Sequence, residues 1–146
     1  MHEWLCETEE ATEAAGREIA SLLPRDAVVH LVGDLGAGKT FLARAIAAAR
    51  GASRAEVASP TFAILHEYPV PEGPPVIHID GYRLSESHRE WLEIGIDEIL
   101  AAPGLKLIEW PKASFSEFES GHWDVRIDVR DDDARIITLS TSTAPR

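Results

Sequence analysis

Cysteine is almost missing from this chain. Cys6 is the only one in 146 residues, which excludes an intrachain disulfide and any metal site built from several thiolates. Long apolar runs are missing too: none approaches the roughly 20 residues that span a bilayer. The opening residues, Met1-His2-Glu3-Trp4-Leu5-Cys6-Glu7, are acidic and lack the basic start and apolar centre of a signal peptide. Together these absences predict a cytoplasmic protein in a reducing setting, with no membrane contact. Positive charge is scarce. Fourteen lysines and arginines face 25 carboxylates, for a net charge of −11. Such a surface repels a phosphate backbone, so autonomous nucleic-acid binding is not expected. At 146 residues the chain is expected to form one domain, 1–146, that buries about 70% of its unfolded surface.

Lysine occurs three times, at 39, 106 and 112. The first belongs to Gly33-Asp34-Leu35-Gly36-Ala37-Gly38-Lys39-Thr40, which fits the phosphate-loop pattern G-x-x-x-x-G-K-[ST]. Phosphates are bulky anions that need several donors converging on one point. A tightly curled backbone supplies them, and Gly33, Gly36 and Gly38 permit the curl. The main chain of Gly33, Leu35, Gly36, Ala37 and Gly38 is therefore the candidate phosphate cradle. Lys39 adds a point charge for the β- and γ-phosphates, and the Thr40 hydroxyl is placed for Mg²⁺. The flanks agree. Val28-Val29-His30-Leu31-Val32 reads as a buried parallel strand. Residues 39–50 are alanine-rich and helical, with Gly51 as a stop. The helix then points its free N–H groups and positive dipole end at the phosphates.

Elsewhere, Thr8 can cap a helix over 9–23, which Pro24 ends. A loop over 51–60 leads to Ser59-Pro60-Thr61 and a strand over 61–68. Residues 69–75, with four prolines, predict a turn, and 76–79 a second strand ending in Asp80, antiparallel to the first. Ser87-His88-Arg89-Glu90 matches a capping box for a short helix closed by Gly95. A helical turn over 97–101 precedes a strand over 105–108 that ends in Glu109 and Trp110-Pro111. Residues 112–122 read as irregular or weakly helical. Residues 125–129 and 135–139 alternate as strands, with Asp131-Asp132-Asp133 as a solvated hairpin tip rather than a metal cluster. Residues 141–146 are expected to fray. The sum predicts an α/β fold: a central mixed sheet like that of the P-loop NTPases, flanked by helices, with a C-terminal antiparallel hairpin.

In open α/β sheets, ligands sit at the carboxyl ends of strands. Three strands end there usefully: Val32 before the glycine loop, Ile79 before Asp80, and Ile108 before Glu109. A carboxylate at the end of an apolar strand is costly to bury unless paired or near a metal. Asp80 and Glu109 are thus candidates for holding Mg²⁺ and for orienting or activating an attacking water. Spacing does not say which does which. Thr61 is a candidate γ-phosphate sensor or a plain strand entry. Trp110 fits a pocket wall or the core, and Arg83 fits phosphate compensation or a surface ion pair. His78 shares a strand face with Asp80, but Mg²⁺ prefers oxygen, so His78 reads as structural. These residues suit a nucleotide hydrolase, a small kinase or a non-catalytic nucleotide-sensing module.

A wider set of motifs occurs in order: Glu9-x-x-Thr12 with Gly16, the glycine loop, Ser59-Pro-Thr-Phe62, His78-Ile-Asp-Gly-Tyr-Arg-Leu84, Leu92-Glu-Ile-Gly95 and Leu107-Ile-Glu-Trp-Pro111. Over residues 7–140 this resembles the TsaE (YjeE) family. The resemblance implies a bacterial ATPase that binds and slowly hydrolyses MgATP to ADP and is required for threonylcarbamoyladenosine at adenosine 37 of tRNAs reading ANN codons. It implies TsaB and TsaD as partners, with tRNA reached only through that complex. By position, Lys39 would contact phosphates and Thr40 would ligate Mg²⁺. Glu109 would be a second metal-side or water-orienting carboxylate, and Asp80 would complete the metal and γ-phosphate network. Thr61 would be the switch residue, and Glu9 and Thr12 would flank the adenine. Two departures stand out. Gly81 replaces a larger apolar residue, which is expected to loosen the strand end, and Lys112 replaces an acidic or polar one.

Overall fold

The computed structural model describes residues 1–53, 64–82, 84, 88–111 and 121–142. Its centre is β2 (Val28–Val32), the β-branched run before the glycine loop. β2 lies between two parallel neighbours, β5 (Lys106–Glu109) and β6 (His122–Val129). Beyond β5, β4 (Gly73–Asp80) is parallel and β3 (Leu65–Val70) antiparallel. Beyond β6, β7 (Arg135–Ser142) and β1 (His2–Cys6) are both antiparallel to their neighbours. The order across this single mixed sheet is β1-β7-β6-β2-β5-β4-β3.

Alternation along the strands sends side chains to two cores. Val29, Leu31, Leu107 and Val125 pack with α1 (Glu9–Leu22) and α2 (Lys39–Ala49). Val28, Ile77, Ile79 and Ile108 pack on the opposite face with α3 (His88–Glu93) and α4 (Ile96–Ala101). Thr8 caps α1, its Oγ1 accepting from Ala11 N at 3.1 Å. Gly16 lets α1 and α2 meet closely, since a Cβ there would lie 2.8 Å from Ala45 Cβ. No described helix is long and apolar enough to cross a membrane.

The mixed sheet, its flanking helices and the closing hairpin agree with the sequence reading. Several boundaries move. β1 is a strand that the sequence reading leaves out, because only Cys6 of its five residues is buried and no alternation marks it. The turn over 69–75 contracts to Pro71-Glu72, with Glu72 at φ +61°. Pro69 fits inside β3 because the register shifts there. Tyr68 pairs with Val76 and Val70 with Gly73, so Pro69 falls outside the ladder on an edge strand. β6 begins at His122, where irregular chain was expected, and residues 112–120 lie outside the described set. Thr141 and Ser142 pair with Trp123 and His122 instead of fraying, while 143–146 lie outside the described residues.

Gly81 does not loosen the end of β4. Its N–H donates to Glu109 O at 2.9 Å, and the buried Trp91 fills the space of the missing side chain. A Cβ at 81 would stand 2.5 Å from Trp91 Cη2.

Candidate active site

The parallel registers bring the carboxyl ends of β2, β5 and β4 together, with Leu31 opposite Glu109 and Asp80 opposite Glu109. The loop from β2 to α2 curls over this edge. Gly36 and Gly38 take φ of +83° and +108°, the left-handed region that glycine enters freely. Gly33 has a different reason: a Cβ there would meet Ile127 O at 2.7 Å. Ala37 N donates to Asp34 O at 3.0 Å, closing the turn, and Arg135 Nε of β7 pins the loop by donating to Ala37 O at 2.9 Å. No side chain caps the start of α2. Its first N–H groups remain available to an anion.

Lys39 is buried beneath this loop. Its Nζ donates to the carbonyls of Gly33 and Asp34 and lies 3.9 Å from the Trp110 ring centroid. Burial lowers its pKa, and the charges of Glu109, Asp34 and Asp80 oppose that shift. Thr40 Oγ1 lies 2.9 Å from each oxygen of Glu109. Glu109 is 3% exposed, and His78 Nε2 stands 2.6 Å from its Oε2. His78 Nδ1 in turn lies 3.4 Å from the Tyr68 hydroxyl. Burial raises the Tyr68 pKa; the Arg44 charge and hydrogen bond oppose that shift, and Glu109 adds to it. Asp80 Oδ1 accepts from Tyr82 N at 3.1 Å.

These groups border one cavity of about 420 Å³. Of the residues singled out from the sequence, Leu35, Gly36, Gly38, Lys39, Thr40, Asp80, Glu109 and Trp110 line it. Gly33 and Ala37 shape the loop from beneath. Glu9 and Thr12 do not line the cavity: Glu9 is exposed, and Thr12 is buried in α1 with its hydroxyl 3.3 Å from Thr8 O. Thr61, Arg83 and Lys112 lie outside the described residues. His78 belongs to the cavity wall and bonds Glu109, which is more than the structural part the sequence suggested. Arg44, His66 and Tyr68 also line the cavity and were missed. Arg44 had a signal, since it follows Thr40 by four positions on one helix face. His66 and Tyr68 depend on the β3–β4 register, which the sequence does not state.

Chemically, the site joins a cation and uncapped helix N–H groups with a hydroxyl and a carboxylate. The first pair suits phosphate oxygens. The second pair supplies hard oxygen donors at one point, which suits Mg²⁺. A different donor cluster, His30, His122 and Asp124, lies on β2 and β6. Its two imidazoles stack at 3.7 Å with 11° between planes, so their in-plane lone pairs run parallel and do not converge on an ion.

A family model described as "Threonylcarbamoyl adenosine biosynthesis protein TsaE" matches residues 6–137. The chain belongs to the TsaE family. Its relatives include a protein of Streptomyces coelicolor named tRNA threonylcarbamoyladenosine biosynthesis protein TsaE, 37% identical and covering 86% of each chain. A Bacillus subtilis protein of the same name is 33% identical over 94% of this chain and 84% of its own. The crystal structure of YdiB from Bacillus subtilis superposes with a TM-score of 0.76 at 28% identity, covering 98% of this chain and 86% of that one. The TsaE membership read from the motifs is thus the one the comparisons find.

Proposed function

We propose that this chain is a P-loop ATPase that binds MgATP and hydrolyses it slowly in tRNA threonylcarbamoyladenosine biosynthesis. The observation that carries the reading is the meeting of Lys39 and Thr40, at the open start of α2, with Glu109 in one cavity. The family supplies the pathway, and the geometry favours the chemistry.

In this reading Lys39 leaves the carbonyls of Gly33 and Asp34 and turns to the phosphates. Backbone N–H groups from Leu35 to Thr40 share the same anion. Thr40 and Glu109 would hold Mg²⁺, and Asp80 would complete the metal and γ-phosphate network. Bound Mg²⁺ would offset phosphate charge and polarise the γ-phosphoryl group. One of these two carboxylates would also orient the attacking water. Thr61 is the proposed switch residue. The base would have to extend beyond the cavity to meet Glu9 or Thr12.

TsaB and TsaD are the proposed partners. The chain's charge of −11 suits a role in which a partner's surface, not this one, holds the tRNA. Arg44 lines the cavity from within α2, the helix of the phosphate loop itself, and among the described residues no other arginine lines it, so no arginine finger is evident in cis. Turnover by the isolated chain should therefore stay well below the roughly 1 s⁻¹ floor of kinases.

The test is nucleotide titration and phosphate release, alone and with TsaB and TsaD. Lys39→Ala should weaken ATP binding by about 10- to 100-fold, as loss of a charge-assisted contact of roughly 1.5–3 kcal/mol implies. Unchanged affinity in that variant, or transfer of phosphate to an acceptor other than water, would overturn the reading.

A further inference from the structure

We propose that His78 is a positioning residue for Glu109, and that the Tyr68 hydroxyl sets the tautomer in which it acts. This rests on the ATPase reading above and concerns a residue outside the phosphate loop and the two strand-end acids.

An ionised carboxylate only accepts hydrogen bonds. Thr40 Oγ1 is equidistant from both Glu109 oxygens, at 2.9 Å, but carries a single hydrogen. One buried oxygen therefore needs another donor, and a carboxylate left short of donors at this burial is expensive. His78 Nε2, 2.6 Å from Oε2, is that donor. A neutral imidazole that donates from Nε2 accepts at Nδ1. The group facing Nδ1 is the Tyr68 hydroxyl at 3.4 Å, which can donate. Tyr68, His78 and Glu109 are each 5% exposed or less, so water does not compete for these bonds.

The fold makes the arrangement unavoidable once the registers are set. β4 pairs with β5 so that His78 lies opposite Leu107 and Asp80 opposite Glu109. His78 and Glu109 therefore lie on one sheet face, and the ring reaches the carboxylate diagonally. β3 pairs with β4 so that Tyr68 comes from the next strand outward, opposite Val76. Three neighbouring strands thus contribute one residue each to a chain of bonds that ends at Thr40, on α2. Both ring nitrogens are engaged, so His78 acts through Glu109 and does not bind the cation. Outer donors of this kind commonly orient cation-holding carboxylates, and their loss costs about 10- to 100-fold in activity or metal affinity.

The test compares His78→Phe, which keeps the ring and removes the donor, with His78→Gln, whose amide can restore an N–H to Glu109. In phosphate-release assays His78→Phe should lower kcat about 10- to 100-fold with KM for ATP within about threefold, and His78→Gln should recover most of the loss. Tyr68→Phe should give a smaller drop of the same type. A second readout needs no turnover: nitrogen-15 shifts of the His78 ring in the nucleotide-free protein should show a proton on Nε2 and none on Nδ1. A wild-type chain that hydrolyses no ATP would sink the ATPase reading and leave this tautomer result to stand for the hydrogen-bond chain. An Nδ1–H tautomer, an unchanged kcat in His78→Phe, a rise in KM alone, or no rescue by a folded His78→Gln would overturn the proposal.

Discussion

Adding one methyl group at position 81 should unsettle both the fold and the site. A Cβ there would lie 2.5 and 2.8 Å from Trp91 Cη2 and Cζ2, and 3.0 Å from Glu109 O. The Trp91 ring cannot step aside, because it is fully buried in the core with Ile96 and Leu100. The backbone at 81 is not left-handed, so the cost of Gly81→Ala is steric. Overpacking of this kind costs about 1–3 kcal/mol. In a chain of this length that is a fall in Tm of roughly 3–10 °C. Trp91→Ala alone should cost about 3–5 kcal/mol by opening a cavity. In the double variant the new methyl group meets empty space. Its cost should then fall short of the sum by about 1 kcal/mol or more, the mark of residues sharing one volume. Urea unfolding of the four proteins, followed by circular dichroism, measures this. The effect should also reach the site, because Gly81 N holds Glu109 O at 2.9 Å. A Gly81→Ala midpoint equal to wild type, or strictly additive costs in the double variant, would refute the packing argument.

Other expectations follow from single contacts. Arg135→Ala removes the bond from Nε to Ala37 O, so the loop should lose order and ATP affinity should fall about fivefold, as the loss of roughly 1 kcal/mol implies; calorimetric titration checks it. Lys106 is buried, with Nζ donating to Asp26 O and Ala102 O. Burial lowers its pKa, and Asp26 only partly opposes the shift. Between that lowered value and the ordinary lysine value the unfolded chain binds more protons, so stability should rise with pH there. Lys106→Met should lack this rise, and denaturant midpoints for both proteins from pH 8 to 10 would show parallel curves if the reasoning is wrong. Cys6 is 2% exposed and burial raises its pKa, opposed by a hydrogen bond from Thr12. A thiol reagent should therefore modify it no faster than the chain opens, and rapid labelling under native conditions would contradict its placement.

What the sequence reveals depends on how local the physics is. β2, the glycine loop and α2 are legible because a β-branched run, three glycines and an alanine-rich stretch each state their own conformation. Asp80 and Glu109 are legible because each ends an apolar strand, and the parallel registers then place them opposite one another. Residues whose role depends on register are hidden. His78 looks structural until β4 and β5 align it with Glu109, and Tyr68 has no visible function until β3 folds back on β4. β1 is hidden for another reason: its pairing with β7 supplies most of what holds it, and its own residues carry little apolar pattern. Pro69 misleads because proline normally forbids a ladder bond, and here the register shift removes the need for one.

The central claim is that one cavity at the start of α2 holds a triphosphate and its cation between Lys39, Thr40 and Glu109. A crystal structure with Mg²⁺ and a non-hydrolysable ATP analogue tests it most directly. The account expects the β- and γ-phosphates over the N–H groups from Leu35 to Thr40, with Lys39 turned from Gly33 O to the phosphates and the ion between Thr40 and Glu109. A nucleotide bound elsewhere, or an ion that avoids Glu109, would contradict it.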